Sequence, residues 1–134
     1  MLVFNPEKVS FAGVDWDGVE SVAVDRLAHR LVQEWSDDGA SMVFADVPEQ
    51  KVRVVLTQRL DDGALVSPVP GDSGTLSFEA ARSGSDAGRV LVSMEAVVAE
   101  VRHDMRRTGG VRSMVLWAVS SDGATDPMSV GSVT

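Results

Sequence analysis

Six long segments, cut apart by clusters of Gly, Asp and Ser, constrain this chain more than any motif in it. They cover residues 8–12, Val19–Trp35, Met42–Leu60, 75–82, 89–104 and 111–120. Several exceed the about five or six residues of an ordinary strand. The breaks hold most of the acidic residues: Asp15 and Asp17, Asp37 and Asp38, Asp61 and Asp62, Asp72, Asp86 and Asp122. Gly18, Gly39, Gly63, Gly71, Gly88 and Gly123 stand beside or near them. Asp favours turns by bonding its own backbone, and Gly by accepting positive φ. Turn signals at this spacing predict an antiparallel all-β domain.

Alternation supports that prediction in three places. Leu76, Phe78 and Ala80 point one way, and Thr75, Ser77 and Glu79 the other. A turn over residues 83–88 then leads to a partner strand with Val90, Val92, Met94, Ala96 and Val98 on one face. After Gly109 and Gly110, Val115, Trp117 and Val119 alternate with Met114, Leu116 and Ala118. Apolar residues on both faces predict a strand covered on both sides, by the core or by a neighbouring subunit.

Other segments are less decided. Val22 and Val24 alternate, but Leu27, Leu31 and Trp35 recur at helical spacing, so residues 25–35 alone read as an amphipathic helix. Pro48 predicts a loop or bulge over residues 46–50, with a firm strand over residues 51–58. Residues 60–74, with Pro68 and Pro70, read as a long loop with room for one helical turn. Residues 122–134 read as a C-terminal arm, open to docking on another subunit.

Composition bounds the function. The length, 134 residues, fits one domain, and 44% hydrophobic with 24% charged residues is ordinary for a globular protein. With no cysteine, disulfides and thiolate metal sites are excluded. The N-terminal residues lack a basic n-region and an extended apolar run, and no stretch approaches the roughly 18 apolar residues of a membrane span, so a soluble, non-exported chain with no membrane partner is expected. The net charge of −8, from 20 acidic and 12 basic residues, argues against direct nucleic-acid binding. It fits solubility alone, and it fits a wall along which DNA slides without adhering.

Catalytic and ligand chemistry is weak. His29 and His103 have no histidine at metal-ligand spacing. Asp15-Trp16-Asp17-Gly18 begins like a calcium loop, but its later ligand positions would be Val19 and Arg26. Residues 71–74, Gly-Asp-Ser-Gly, resemble an activated-serine segment without a His–Asp partnership around it. No phosphate-binding glycine motif occurs. No enzyme activity, catalytic residue, cofactor or metal is expected. Arg102, Arg106, Arg107 and Arg112 form a local basic cluster, suited to acidic turns across a subunit interface or to phosphate.

Residues 4–11, Phe-Asn-Pro-Glu-Lys-Val-Ser-Phe, resemble the opening of tail tube proteins of long-tailed phages and gene transfer agents. The resemblance continues through Val19–Trp35, the acidic turn Ser36-Asp37-Asp38-Gly39, and the strand Lys51-Val52-Arg53-Val54-Val55-Leu56. It extends to residues 97–106 and 111–120 and to Ser121-Asp122-Gly123-Ala124-Thr125-Asp126-Pro127, covering most of the chain as a pattern without a signature motif. It implies a β-sandwich or small barrel with a long β-hairpin and at most one or two short helices. It further implies rings of six subunits stacked into a tube, with hairpins joined into an inner barrel. On that ground Val19–Trp35 is expected to be strand, with Asp25, His29 and Gln33 towards a lumen or a neighbour. The implied partners are other copies of the chain, the tape measure, terminator and distal tail proteins, and DNA in transit. The implied location is the virion tail, after synthesis in the bacterial cytoplasm. A tail terminator or head–tail connector, or a small non-viral ligand-binding β-barrel, remain the alternatives.

Overall fold

A computed structural model describes residues 4–60, 68–81 and 89–132. The strands are β1 (Phe4–Phe11), β2 (Val14–Asp15), β3 (Val19–Trp35), β4 (Met42–Leu60), β5 (Ser73–Ala81), β6 (Val90–Arg106), β7 (Gly109–Val119) and β8 (Met128–Ser132). There is no helix among the described residues. All strands join one antiparallel sheet in the order β2-β1-β5-β6-β7-β4-β3, and β8 pairs with β6. The sheet curls so that β1 approaches β3 without pairing, giving a mainly β, sandwich-like fold that is not closed.

The core lies on the concave face. Phe78, Leu56, Leu76, Met114, Leu116, Val22, Val54 and Val98 are its largest fully buried side chains. They belong to β3 through β7 at two-residue spacing, which sends alternate side chains to one face. Burial of each such side chain stabilises by about 1.5–3 kcal/mol.

Two turns show why the chain bends where it does. Phe11 and Val14 are paired, leaving Ala12 and Gly13 as a two-residue loop with φ of 53° and 82°. Positive φ at both positions gives the turn a twist that matches the flanking strands. Gly18, at φ 74°, carries the chain from β2 into β3, and its carbonyl accepts the Arg59 N–H at 2.8 Å. A Cβ at Gly18 would stand 2.8 Å from the Arg59 carbonyl oxygen, so only glycine fits.

Residues 25–35 form strand, and the helical reading of that stretch is wrong. Their partners in β4 run from Arg53 to Met42, and this ladder overrides the helical spacing of Leu27, Leu31 and Trp35. The irregularity at residues 46–50 is a bulge within a continuous β4. Arg30 pairs with Glu49 and Val32 with Asp46, so β4 holds an extra residue around Pro48. β7 does not reach this part of β4, and Pro48 therefore sits where one side of the strand is already open. Residues 68–72 make a turn, and Gly74 lies within β5. The turn expected over residues 83–88 lies outside the described residues, as do residues 61–67.

The segment read as a C-terminal arm is laid on the chain's own sheet. Glu95 of β6 pairs with Val119 of β7, and the next residue, Met94, pairs with Met128 of β8. β7 and β8 are thus successive pieces on one edge of β6, interrupted by the loop 120–127. Met128 packs on the core and anchors the second piece.

Candidate functional site

The feature that sets this domain apart is the outer half of the β3–β4 hairpin. β7 accompanies β4 only as far as the Arg53–Trp117 pair. Beyond it β3 and β4 form a two-stranded arm whose turn is at residues 36–41. From Arg53 to Met42 the arm extends about 35 Å. β3 is also the last strand of the sheet, so both edges of the arm present unpaired backbone groups.

A two-stranded ribbon is marginal in water on its own. This one is fastened at its base. Arg53 donates to Asp25 at 3.1 Å. The Lys51 ammonium sits 4.8 Å from the centre of the Trp117 ring. Arg26 makes two bonds to Asp126 in the loop before β8, at 3.2 and 2.9 Å. Further out, Arg30 and Glu49 approach to 3.7 Å.

The arm exposes a run of apolar side chains. Leu31 is 50% exposed, Trp35 55% and Val43 63%, and Met42, Phe44 and Val47 are exposed as well. These six are half of the twelve exposed large hydrophobic residues among the described residues, within a short stretch of the chain. Such a concentration makes the arm the candidate contact surface among the described residues, which single scattered side chains would not.

Asp25, His29 and Gln33 do not form one row. Asp25 is taken up by Arg53 at the arm base. Register shifts on both sides of Arg30 break the alternation between Asp25 and Gln33. His29 and Gln33 are exposed.

The four arginines of the basic cluster are also separated. Arg112 faces inward, buried, and its guanidinium donates to Gln58 and lies 5.7 Å from the centre of the Trp16 ring. Burial pushes its pKa below the usual arginine value. Gln58 in turn donates to the Asp17 carbonyl at 2.7 Å, and Trp16 stacks on Phe11 with centroids 5.2 Å apart. This chain of contacts ties the β2–β3 turn to β4 and β7. Beside it opens a cleft of about 600 Å³, lined by Phe11, Trp16, Gln58, Leu60, Pro68 and Arg112 among others. Arg102 pairs with Ser113, one position along from the His103–Arg112 pair, and therefore points to the opposite face from Arg112. Arg106 and Arg107 are exposed at the β6–β7 turn.

The remaining sequence candidates lie in turns and strand ladders. Asp15 and Asp17 are exposed on either side of buried Trp16. Asp72 accepts the Val69 N–H through its side chain at 2.9 Å, and its carbonyl accepts the Val98 N–H at 2.8 Å. Ser73 pairs with Val97 in the β5–β6 ladder, six positions from His103 and so about 20 Å away along β6. No three His, Asp or Glu side chains converge on a point among the described residues.

Sequence reasoning missed the Arg26–Asp126 clamp and the buried Arg112–Gln58 pair. The first has no local signal, because its partners are 100 positions apart. The second was signalled by alternation: Gln58 continues Val52, Val54 and Leu56, and Arg112 precedes Met114 and Leu116. Compared with known proteins, the sequence matches no family model and no curated protein.

Proposed function

We propose that the chain is a non-enzymatic structural subunit, the tail tube protein of a long-tailed phage or gene transfer agent. Copies assemble into rings, the resemblance implying six to a ring, and the rings stack into a conduit for DNA. The observation that supports this reading is the arm: two open strand edges and six exposed apolar side chains on one projection. Pairing those edges between copies satisfies the backbone groups and covers the apolar residues together. The net charge of −8 suits a wall that must not hold DNA back.

The cleft beside Trp16 favours a second reading, a monomeric ligand-binding β-domain. Light scattering across a concentration series, with negative-stain imaging alone and with tail partners, separates the two. Rings or tubes are expected. A chain that stays monomeric in both settings contradicts the tube reading, and rings that never stack point to a terminator or connector.

A further inference from the structure

The outer arm and the β6–β7 turn carry opposite local charge. β4 runs from Met42 at the arm to Leu60, which pairs with Gly110 beside the β6–β7 turn. The arm tip and that turn therefore lie at opposite ends of one 19-residue strand. At about 3.3 Å per residue they are roughly 60 Å apart.

Residues 31–50 hold Glu34, Asp37, Asp38, Asp46 and Glu49, and no Lys or Arg. Of these only Glu49 has an ion-pair partner among the described residues. At the other end Arg102 and Arg107 are exposed, with no carboxylate in ion-pair range among the described residues. Arg106 reaches Asp104, and Arg59 reaches Glu20, only at 3.9 Å between exposed side chains. Such pairs are worth little and exchange partners readily. Of the carboxylates at this end, Asp104 lies on β6 itself, Asp15 is in β2, and Asp17 and Glu20 belong to the turn before β3 and its start, with β4 and β7 between β3 and β6. Residues 102–109 still hold three Arg against one Asp.

Tip-to-tip contact would set four unpaired carboxylates against four more. Tip-to-turn contact sets them against arginines. We propose that the arm tip of one copy docks on the β6–β7 turn of the next, with Asp37 and Asp38 against Arg106 and Arg107. This rests on the reading of the chain as a self-assembling subunit. The contact joins different patches, so it is heterologous and does not close by two-fold symmetry. Repeated along the strand direction, it gives an assembly with one polarity. Screening shortens from about 10 Å at 0.1 M salt to about 3 Å at 1 M, so the stacking weakens as salt rises.

The test is charge reversal and its rescue, read as the critical concentration for sedimentable polymer. Asp37→Arg with Asp38→Arg, or Arg106→Glu with Arg107→Glu, should each raise that concentration about tenfold or more. All four changes in one chain should restore it to within about threefold of the parent. Circular dichroism and melting establish that each variant is folded. Where a reversed chain does not fold, the neutral versions, Asp37→Asn with Asp38→Asn and Arg106→Gln with Arg107→Gln, carry the comparison, each expected to raise the critical concentration. A parent that polymerises while folded single-end variants polymerise equally well overturns the docking and leaves the subunit reading standing. Failure of the four-fold variant to recover also overturns the docking. A parent that never polymerises overturns both.

Discussion

Arg26 on β3 and Asp126 in the loop before β8 face each other as a two-pronged ion pair, with Nη1–Oδ1 at 3.2 Å and Nη2–Oδ2 at 2.9 Å. The pair joins the arm base to the segment that interrupts the β7–β8 edge. Asp126 also accepts the Met128 N–H at 3.1 Å, at the point where β8 begins. One carboxylate therefore positions both the arm and the last strand. Both side chains are about half exposed, so the pair contributes less than about 1 kcal/mol. Asp126→Asn should barely move the melting temperature and should raise amide exchange in β8. Unchanged exchange from Met128 to Val130 would show that β8 holds without the clamp.

The same loop should respond to acid. Asp122 accepts from the Thr125 and Ala124 N–H groups at 2.8 and 2.9 Å and from the Thr125 and Ser120 hydroxyls, which hold its carboxyl well below the usual range. Arg26, and then the Met128 N–H, lower the Asp126 carboxyl in the same direction. Native values below the unfolded ones mean that this order is complete above about pH 4 and is lost as pH falls through the native values. Amide protection at Ala124 and Thr125 should persist at pH 4 and disappear at more acidic pH, ahead of global unfolding. Protection that follows the global melt at every pH would contradict this.

Leu31 tests the arm as a surface. It is half exposed in the subunit, so Leu31→Asp should leave the melting temperature within the change expected for about 0.5 kcal/mol while blocking assembly. Assembly at the parent's concentration would show that Leu31 stays in water.

Gly18 tests the join between β2 and β3. Gly18→Ala places a Cβ 2.8 Å from the Arg59 carbonyl at a positive φ, and should destabilise by about 1–3 kcal/mol in chemical denaturation. A loss below about 0.5 kcal/mol would mean that the turn relaxes freely.

DNA should pass without being held. Arg112 is buried and Arg102 points to the opposite face, so the sequence cluster is not a continuous basic stripe. Mobility shifts should show no micromolar binding to duplex DNA at physiological salt. Salt-sensitive micromolar binding, lost when Arg102, Arg106 and Arg107 become Gln, would overturn the passive-conduit account.

The long strands were legible because strong turn residues bracket them. β3 and β4 occupy the two longest segments between breaks, Val19–Trp35 and Met42–Leu60. β8 was not legible: it is short, residues 129–131 are exposed, and its order comes from backbone pairing to β6. The arm was legible as a hairpin but not as a projection, because nothing in β4 records that its pairing with β7 ends at the Arg53–Trp117 pair. The faces of Asp25, His29 and Gln33 were unreadable because the bulges beside Arg30 depend on cross-strand register.

The central claim is that the arm drives assembly. Among the described residues its outer part pairs with no strand of the body of the sheet, so residues 29–49 can be replaced by Asn-Gly, closing a short hairpin on the Ala28–Gln50 pair. Negative-stain imaging of the parent and this shortened chain, matched in concentration and both confirmed folded, tests the claim directly. The account predicts rings or tubes for the parent and dispersed monomers for the shortened chain at the same melting temperature. A parent that remains monomeric, or a shortened chain that assembles as the parent does, would contradict it.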